Sequence, residues 1–99
     1  MDPVSTTSAE SDLPLADEAA VRGRSGELQT LAESYGVTDL RYASPGRLVG
    51  HVAADRDLLD MIEFDLAASD MLAAKVSLFS DAVLDHPHVS ADLVDARPL

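Results

Sequence analysis

DLLDMIEFDLAASDMLAAKVSLFS, residues 57–80, joins a long apolar-rich segment to a short alternating one with almost no break. Leu58, Leu59, Ile62, Leu66 and Leu72 fall on one broad helical arc, with Met61 and Ala68 at its edge. Apolar residues at such spacings predict an amphipathic helix with that arc facing a core. Two polar residues, Asp65 and Ser69, fall near the same arc and fit it poorly. Phe64 and Met71, seven apart, lie on a different flank. Val76 and Leu78 then alternate with Ser77 and Phe79, which predicts a strand over 75–79. A helix followed so closely by a strand needs more strands and a second helix to pack on, and the upstream chain must supply them.

The upstream chain does so. Leu28, Leu31, Ala32 and Tyr35 form an i, i+3, i+4, i+7 stripe, so a helix is expected over 26–35 with Ser25 as its cap. Gly36 stands where a left-handed C-terminal residue belongs, with Val37 as its hydrophobic follower. A strand is expected over 39–43, a turn at Ser44-Pro45-Gly46, and a second strand over 47–52. Asp55 and Asp57 are each placed to cap the central helix. Near the end, AVL (82–84) reads as a short turn, and Ser90 as the cap of a last helical piece over 91–96. Residues 1–24 are dominated by Ser, Thr, Asp, Glu, Pro and Ala, and are expected to form a disordered tail ahead of a domain over 25–99.

Ninety-nine residues with a 46 % hydrophobic fraction allow one small core. Four aromatic residues and no tryptophan make that core aliphatic. Eighteen acids against seven bases give a net charge of -11. That balance argues against nucleic acid, which demands cationic contacts to phosphates. It disfavours an anionic membrane surface for the same reason. It favours a basic protein partner, since opposite fields steer association. No cysteine is present, so disulfides and thiolate chemistry are excluded. MDPVSTTSAESD is no signal peptide, and no run reaches membrane-spanning length; a cytoplasmic protein is the expectation.

The order helix, strand, strand, helix, strand, helix carries a resemblance. LAESYGVTDLRYA (31–43) resembles the opening of the minimal nucleotidyltransferases (MNT) of the polymerase-beta superfamily. Residues 57–80 are similar to that family's helix and third strand, and DLVDARPL (92–99) to its terminal helix. The resemblance implies an α/β (α+β) fold, a truncated nucleotidyltransferase-like domain with a mixed three-stranded sheet flanked by three to four helices. It also implies a chemistry. A Gly-Ser turn at a helix start holds a triphosphate, and an Asp-x-Asp pair with a third carboxylate holds Mg²⁺ for nucleotidyl transfer.

Two registers compete for those motifs. In one, Ser44 and Arg47 belong to the phosphate turn and Asp55-Arg56-Asp57 is the metal pair, which makes residues 57–62 a strand. In the other, the central helix is whole, and the Gly-Ser turn and its acids have collapsed into Ser44-Pro45-Gly46. The second keeps the helix pattern unbroken and is preferred. Both put Ser77 where the third carboxylate should be, and a neutral hydroxyl is a poor Mg²⁺ ligand.

The expected function is therefore that of a non-catalytic, nucleotidyltransferase-like protein-binding module, with no catalytic, cofactor or metal site. The resemblance suggests the antitoxin of an MNT/HEPN-type toxin–antitoxin pair, with a HEPN-type toxin as the basic partner. One alternative is an active nucleotidyltransferase that moves AMP from ATP to a protein or RNA with Mg, using Ser44, Arg47, Asp55 and Asp57, the last two as metal ligands. Another is a remnant that self-associates into a homo-oligomer. Phe64 and Met71 are the candidate partner contacts, since large apolar side chains off the main stripe mark interfaces. The competing reading is that they form a second buried side of the helix. Asp85-His86-Pro87-His88 reads as a surface loop and His51 as a half-exposed strand residue.

Overall fold

The computed structural model describes residues 13–99. Asp17 opens α1 (Glu18–Gly23) by accepting from the Ala20 N–H at 2.8 Å. The chain kinks at Arg24 and continues as α2 (Ser25–Ser34). Ser25 is thus the first helical residue rather than the cap, and Arg24 occupies the cap position without a side-chain capping bond. Gly36, at φ +77°, ends α2 as expected.

β1 (Val37–Ser44) and β2 (Arg47–Val52) form an antiparallel hairpin whose closing pair is Ser44 and Arg47. Gly46 supplies the positive φ of that tight turn, also at +77°. An irregularity between Thr38 and Arg41 accompanies a left-handed Asp39, so β1 is bulged. α3 (Leu58–Leu72) follows, then β3 (Ser77–Ser80), which pairs parallel with β2. A 3₁₀ turn (Asp81–Asp85) and a single-turn α4 (Ala91–Val94) lead to β4 (Arg97–Pro98).

The mixed α+β class is as expected, but the sheet has four strands, in the order β3-β2-β1-β4. β4 pairs antiparallel with β1, and the Leu99 N–H reaches the Leu40 carbonyl at 3.1 Å. Two residues leave no hydrophobic alternation to read, and Pro98 suggested only the end of a helix. The register that made residues 57–62 a strand is excluded, because α3 covers 58–62 and Asp57 caps it.

The tail expected over residues 1–24 is corrected from Pro14 onward. Its first twelve lie outside the described residues. Beyond them, the chain is built into the domain: Lys75 N–H donates to Pro14, Ala16 N–H to Lys75, and Gly46 N–H to Ala16, at 2.7–3.1 Å. Ala16 and Val21 are buried. Backbone pairing of this kind carries no compositional signature, which is why a polar stretch misleads here.

The main core lies between α2, α3 and one face of the sheet. Leu28, Ala32, Val37, Leu40, Leu48, Phe64, Ala68 and Leu78 are all buried in it. Tyr35 meets the Phe64 ring edge-on at 6.5 Å. Gly50 lies on this face, where a Cβ would come within 2.7 Å of a Val37 methyl, so the close approach of strand and core requires glycine. On the opposite face Val49 is fully buried, and α4 and the 3₁₀ turn contact β1 and β2 there. Among the described residues, no helix is long and apolar enough to cross a membrane.

Candidate functional site

α3 is apolar on two faces, and the structure buries the one that the main stripe did not favour. Asp57 opens the helix with a reciprocal capping box: its carboxylate accepts from the Asp60 N–H, and Asp60 accepts from the Asp57 N–H. Ala73, in the left-handed region, closes it. In between, Phe64 and Ala68 are fully buried, with Met61, Met71 and Leu72 packed partly against the core. These five fall at i, i+3, i+7, i+10 and i+11, a helical face of their own.

Two side chains fix this rotation, and they are the pair that fitted the pattern poorly. Asp65 Oδ1 accepts from the Leu78 N–H at 2.7 Å, and Ser69 Oγ accepts from the Val76 N–H at 3.0 Å. Both tie one rim of α3 to the backbone of β3. Burial pushes the Asp65 carboxyl up to about 6, partly offset by the hydrogen bond from Leu78.

Phe64 is therefore a core residue with no exposed surface, and the expectation that it contacts a partner is corrected. The second-side reading holds for it, because Phe64 fills the space over the sheet beside Tyr35. Met71 keeps partial exposure beside Leu31 and Thr30 of α2. It also accepts, through its carbonyl, a hydrogen bond from Arg24 at 2.7 Å.

The side turned to solvent is the expected core arc. Leu58 is 68 % exposed, Leu59 60 %, Ile62 45 % and Leu66 68 %. Leu72 alone of that arc packs against the core. Near Leu66 the stripe runs on to Leu13, and the two line an open groove of about 600 Å³ with Asp65, Ser69 and Lys75. Isolated exposed leucines are ordinary, but four on adjacent helical turns form a contiguous patch of the kind that marks an interaction surface. Covering the remaining surface of each would contribute about 1–2 kcal/mol.

Acids surround this patch. Glu63 and Asp70, two turns apart, are exposed along one rim, and Asp55 and Asp57 are exposed at the N-terminal end. Of the nearby bases, Arg56 is 3.5 Å from Asp60 and Lys75 is exposed by the groove.

The residues of the alternative catalytic reading divide into two places. Ser44 and Arg47 meet at the hairpin end, where both donate to Asp92 Oδ2, at 2.6 and 2.9 Å. The Ser44 hydroxyl, with Arg47 beside it, holds the Asp92 carboxyl below its ordinary value. Arg47 also lies over the Phe79 ring at 4.8 Å. Asp55 and Asp57 lie beyond the other end of β2, a strand length of about 16 Å away. Asp57 is already committed to its cap, and these four side chains do not form one constellation. No family model, curated protein or solved structure matches the chain. The candidate site thus rests on the geometry of α3.

Elsewhere, His51 Nδ1 lies 3.1 Å from Asp81 Oδ2 at the surface. His86 and His88 are exposed and line an open cavity of about 510 Å³ with Phe79, Val83 and Leu93. Among the described residues, no three His, Asp or Glu side chains are grouped to hold a metal ion. Asp92 is the residue that sequence reasoning missed at the hairpin end. Its signal is weak, an acid in the first turn of a one-turn helix far from Arg47 in sequence.

Proposed function

We propose that this chain is a non-catalytic, cytoplasmic protein-binding module whose outer α3 face packs against another protein. The observation that carries the reading is the exposure of Leu58, Leu59, Ile62 and Leu66 on a helix whose other face supplies the core. A helix needs one apolar face to fold on a sheet, and a second one left in water calls for a partner. The acidic rim, the acidic N-terminal end of α3 and the net charge of -11 favour a basic protein over nucleic acid. Within the nucleotidyltransferase-like resemblance, the role is that of antitoxin to a HEPN-type toxin.

The test is retention of a partner from the native host by the tagged wild-type chain and by Leu58→Ser/Leu66→Ser. Both side chains are exposed, so the variant is expected to keep the wild-type far-UV circular dichroism while losing the partner. Equal retention by both forms would remove the α3 face from the function. Isothermal titration with ATP and Mg²⁺ addresses the enzymatic alternative, and no binding is expected. Micromolar binding abolished by Asp55→Asn/Asp57→Asn would put nucleotidyl transfer in place of this reading.

A further inference from the structure

We infer that the occupant of the outer α3 face is a basic amphipathic helix of the partner, an inference that rests on the protein-binding reading above. The shape of the face sets the first condition. Leu58, Ile62 and Leu66 lie at i, i+4 and i+8, with Leu59 beside them, along a 15-residue helix about 22 Å long. A row of this kind presents i±4 ridges, and the natural counterpart is another helix whose apolar row seats in the intervening grooves. The groove shared by Leu13 and Leu66 extends the row at one end.

Charge sets the second condition. Glu63 and Asp70 stand exposed on one rim, about 10 Å apart along the axis. They call for Lys or Arg two turns apart on the partner helix, beside its apolar row. Asp55 and Asp57 at the N-terminal end extend the same preference. Opposite charges around an apolar centre fix register and speed encounter.

Two other occupants are disfavoured by the same facts. In an antiparallel two-fold pairing of α3 with a second copy, each rim meets itself, so Glu63 and Asp70 would face their own equivalents. A parallel pairing sets the Glu63–Asp70 rim against Asp65 and brings the two acidic N-terminal ends together. Both copies would carry a net charge of -11. Residues 1–12 of the chain hold no lysine or arginine, and Met1 and Val4 are their only large apolar side chains. They meet neither condition.

The full chain is titrated by isothermal calorimetry with three designed 18-residue peptides. One has leucines at i, i+3, i+4 and i+7 with Lys and Arg elsewhere. The second scrambles that composition, and the third keeps the leucine row with Glu in place of the bases. The first is expected to bind at least about tenfold more tightly than either of the others. Ile62→Ser/Leu66→Ser should weaken it by about tenfold or more. Glu63→Lys/Asp70→Lys should weaken it also, and reduce its salt dependence. Equal binding of the scrambled peptide, or of the acidic one, overturns the inference. So does a homodimer, seen by sedimentation, that Ile62→Ser/Leu66→Ser dissociates, or nuclear Overhauser contacts between Val4 and Ile62 or Leu66. Those results would leave the face a protein-contact surface with a different occupant. Absence of any peptide binding, together with native-host partner retention unaffected by the serine variants, would sink both readings.

Discussion

Replacing Phe64 by alanine should destabilise this protein severely, whereas replacing Leu66 by serine should change its stability little. The main apolar stripe of the sequence implies the reverse. Phe64 has no exposed surface, belongs to the core cluster and meets Tyr35 edge-on. Truncating a ring so placed costs about 3–5 kcal/mol in transfer and cavity terms. A domain of this length has about 5–15 kcal/mol of stability in total, so the loss takes from about a fifth to all of it. With a urea dependence of about 1 kcal/mol per molar, the midpoint falls by about 3–5 M. Leu66 is 68 % exposed. Its change to serine should stay within about 0.5 kcal/mol. Urea unfolding followed by circular dichroism at 222 nm measures both. If Leu66→Ser cost more than about 2 kcal/mol and Phe64→Ala less than about 1, α3 would be rotated and the exposed stripe would be core.

Asp65 gives a pH test of the tether between α3 and β3. In the folded chain its carboxyl keeps a proton up to about pH 6, against an ordinary value of 3.8. Folding therefore takes up a proton between those values, and this contribution to stability falls as pH rises through that window. Because the carboxyl is only half-buried, solvent screens part of this and the contribution is on the order of 1–2 kcal/mol. Asp65→Asn keeps an oxygen for the Leu78 N–H but cannot ionise, so its urea midpoint should lose this part of the pH dependence between pH 4 and pH 7; an unchanged profile would place the carboxyl in water. Gly50→Ala should cost about 1–3 kcal/mol by thermal unfolding, because the new methyl meets Val37 at 2.7 Å, and Val37→Ala in the same chain should recover part of it.

What could be read from the sequence was local. The bounds of β2, the Ser-Pro-Gly hairpin, the stop at Gly36 and the cap at Asp57 each follow from one to four neighbouring residues. The facing of α3 could not be read in that way, because both of its stripes have helical spacing and the larger one faces water. Asp65 and Ser69 held the answer: polar residues in an apolar arc signal that the arc's rim meets backbone, not side chains. β4 and the Pro14–Ala16 segment were invisible because backbone pairing, with little apolar side chain beyond Ala16 and Leu99, holds them. The candidate face was legible only in part: its residues were named as core, and the surface role went to Phe64 and Met71.

The bonds from Ser69 and Asp65 have a consequence for how this chain behaves in a crowd. β3 is an outer strand of the sheet, and its outward N–H groups are what a stray extended peptide would pair with. That of Leu78, and that of Val76 just before the strand, are already occupied by side chains. At the other border, β4 is two residues long and one of them, Pro98, has no N–H to offer. Both borders therefore offer fewer free N–H groups to another strand than a plain edge of the same length. Among the described residues, the largest row of apolar side chains left in water thus lies on a helix, away from these strand borders.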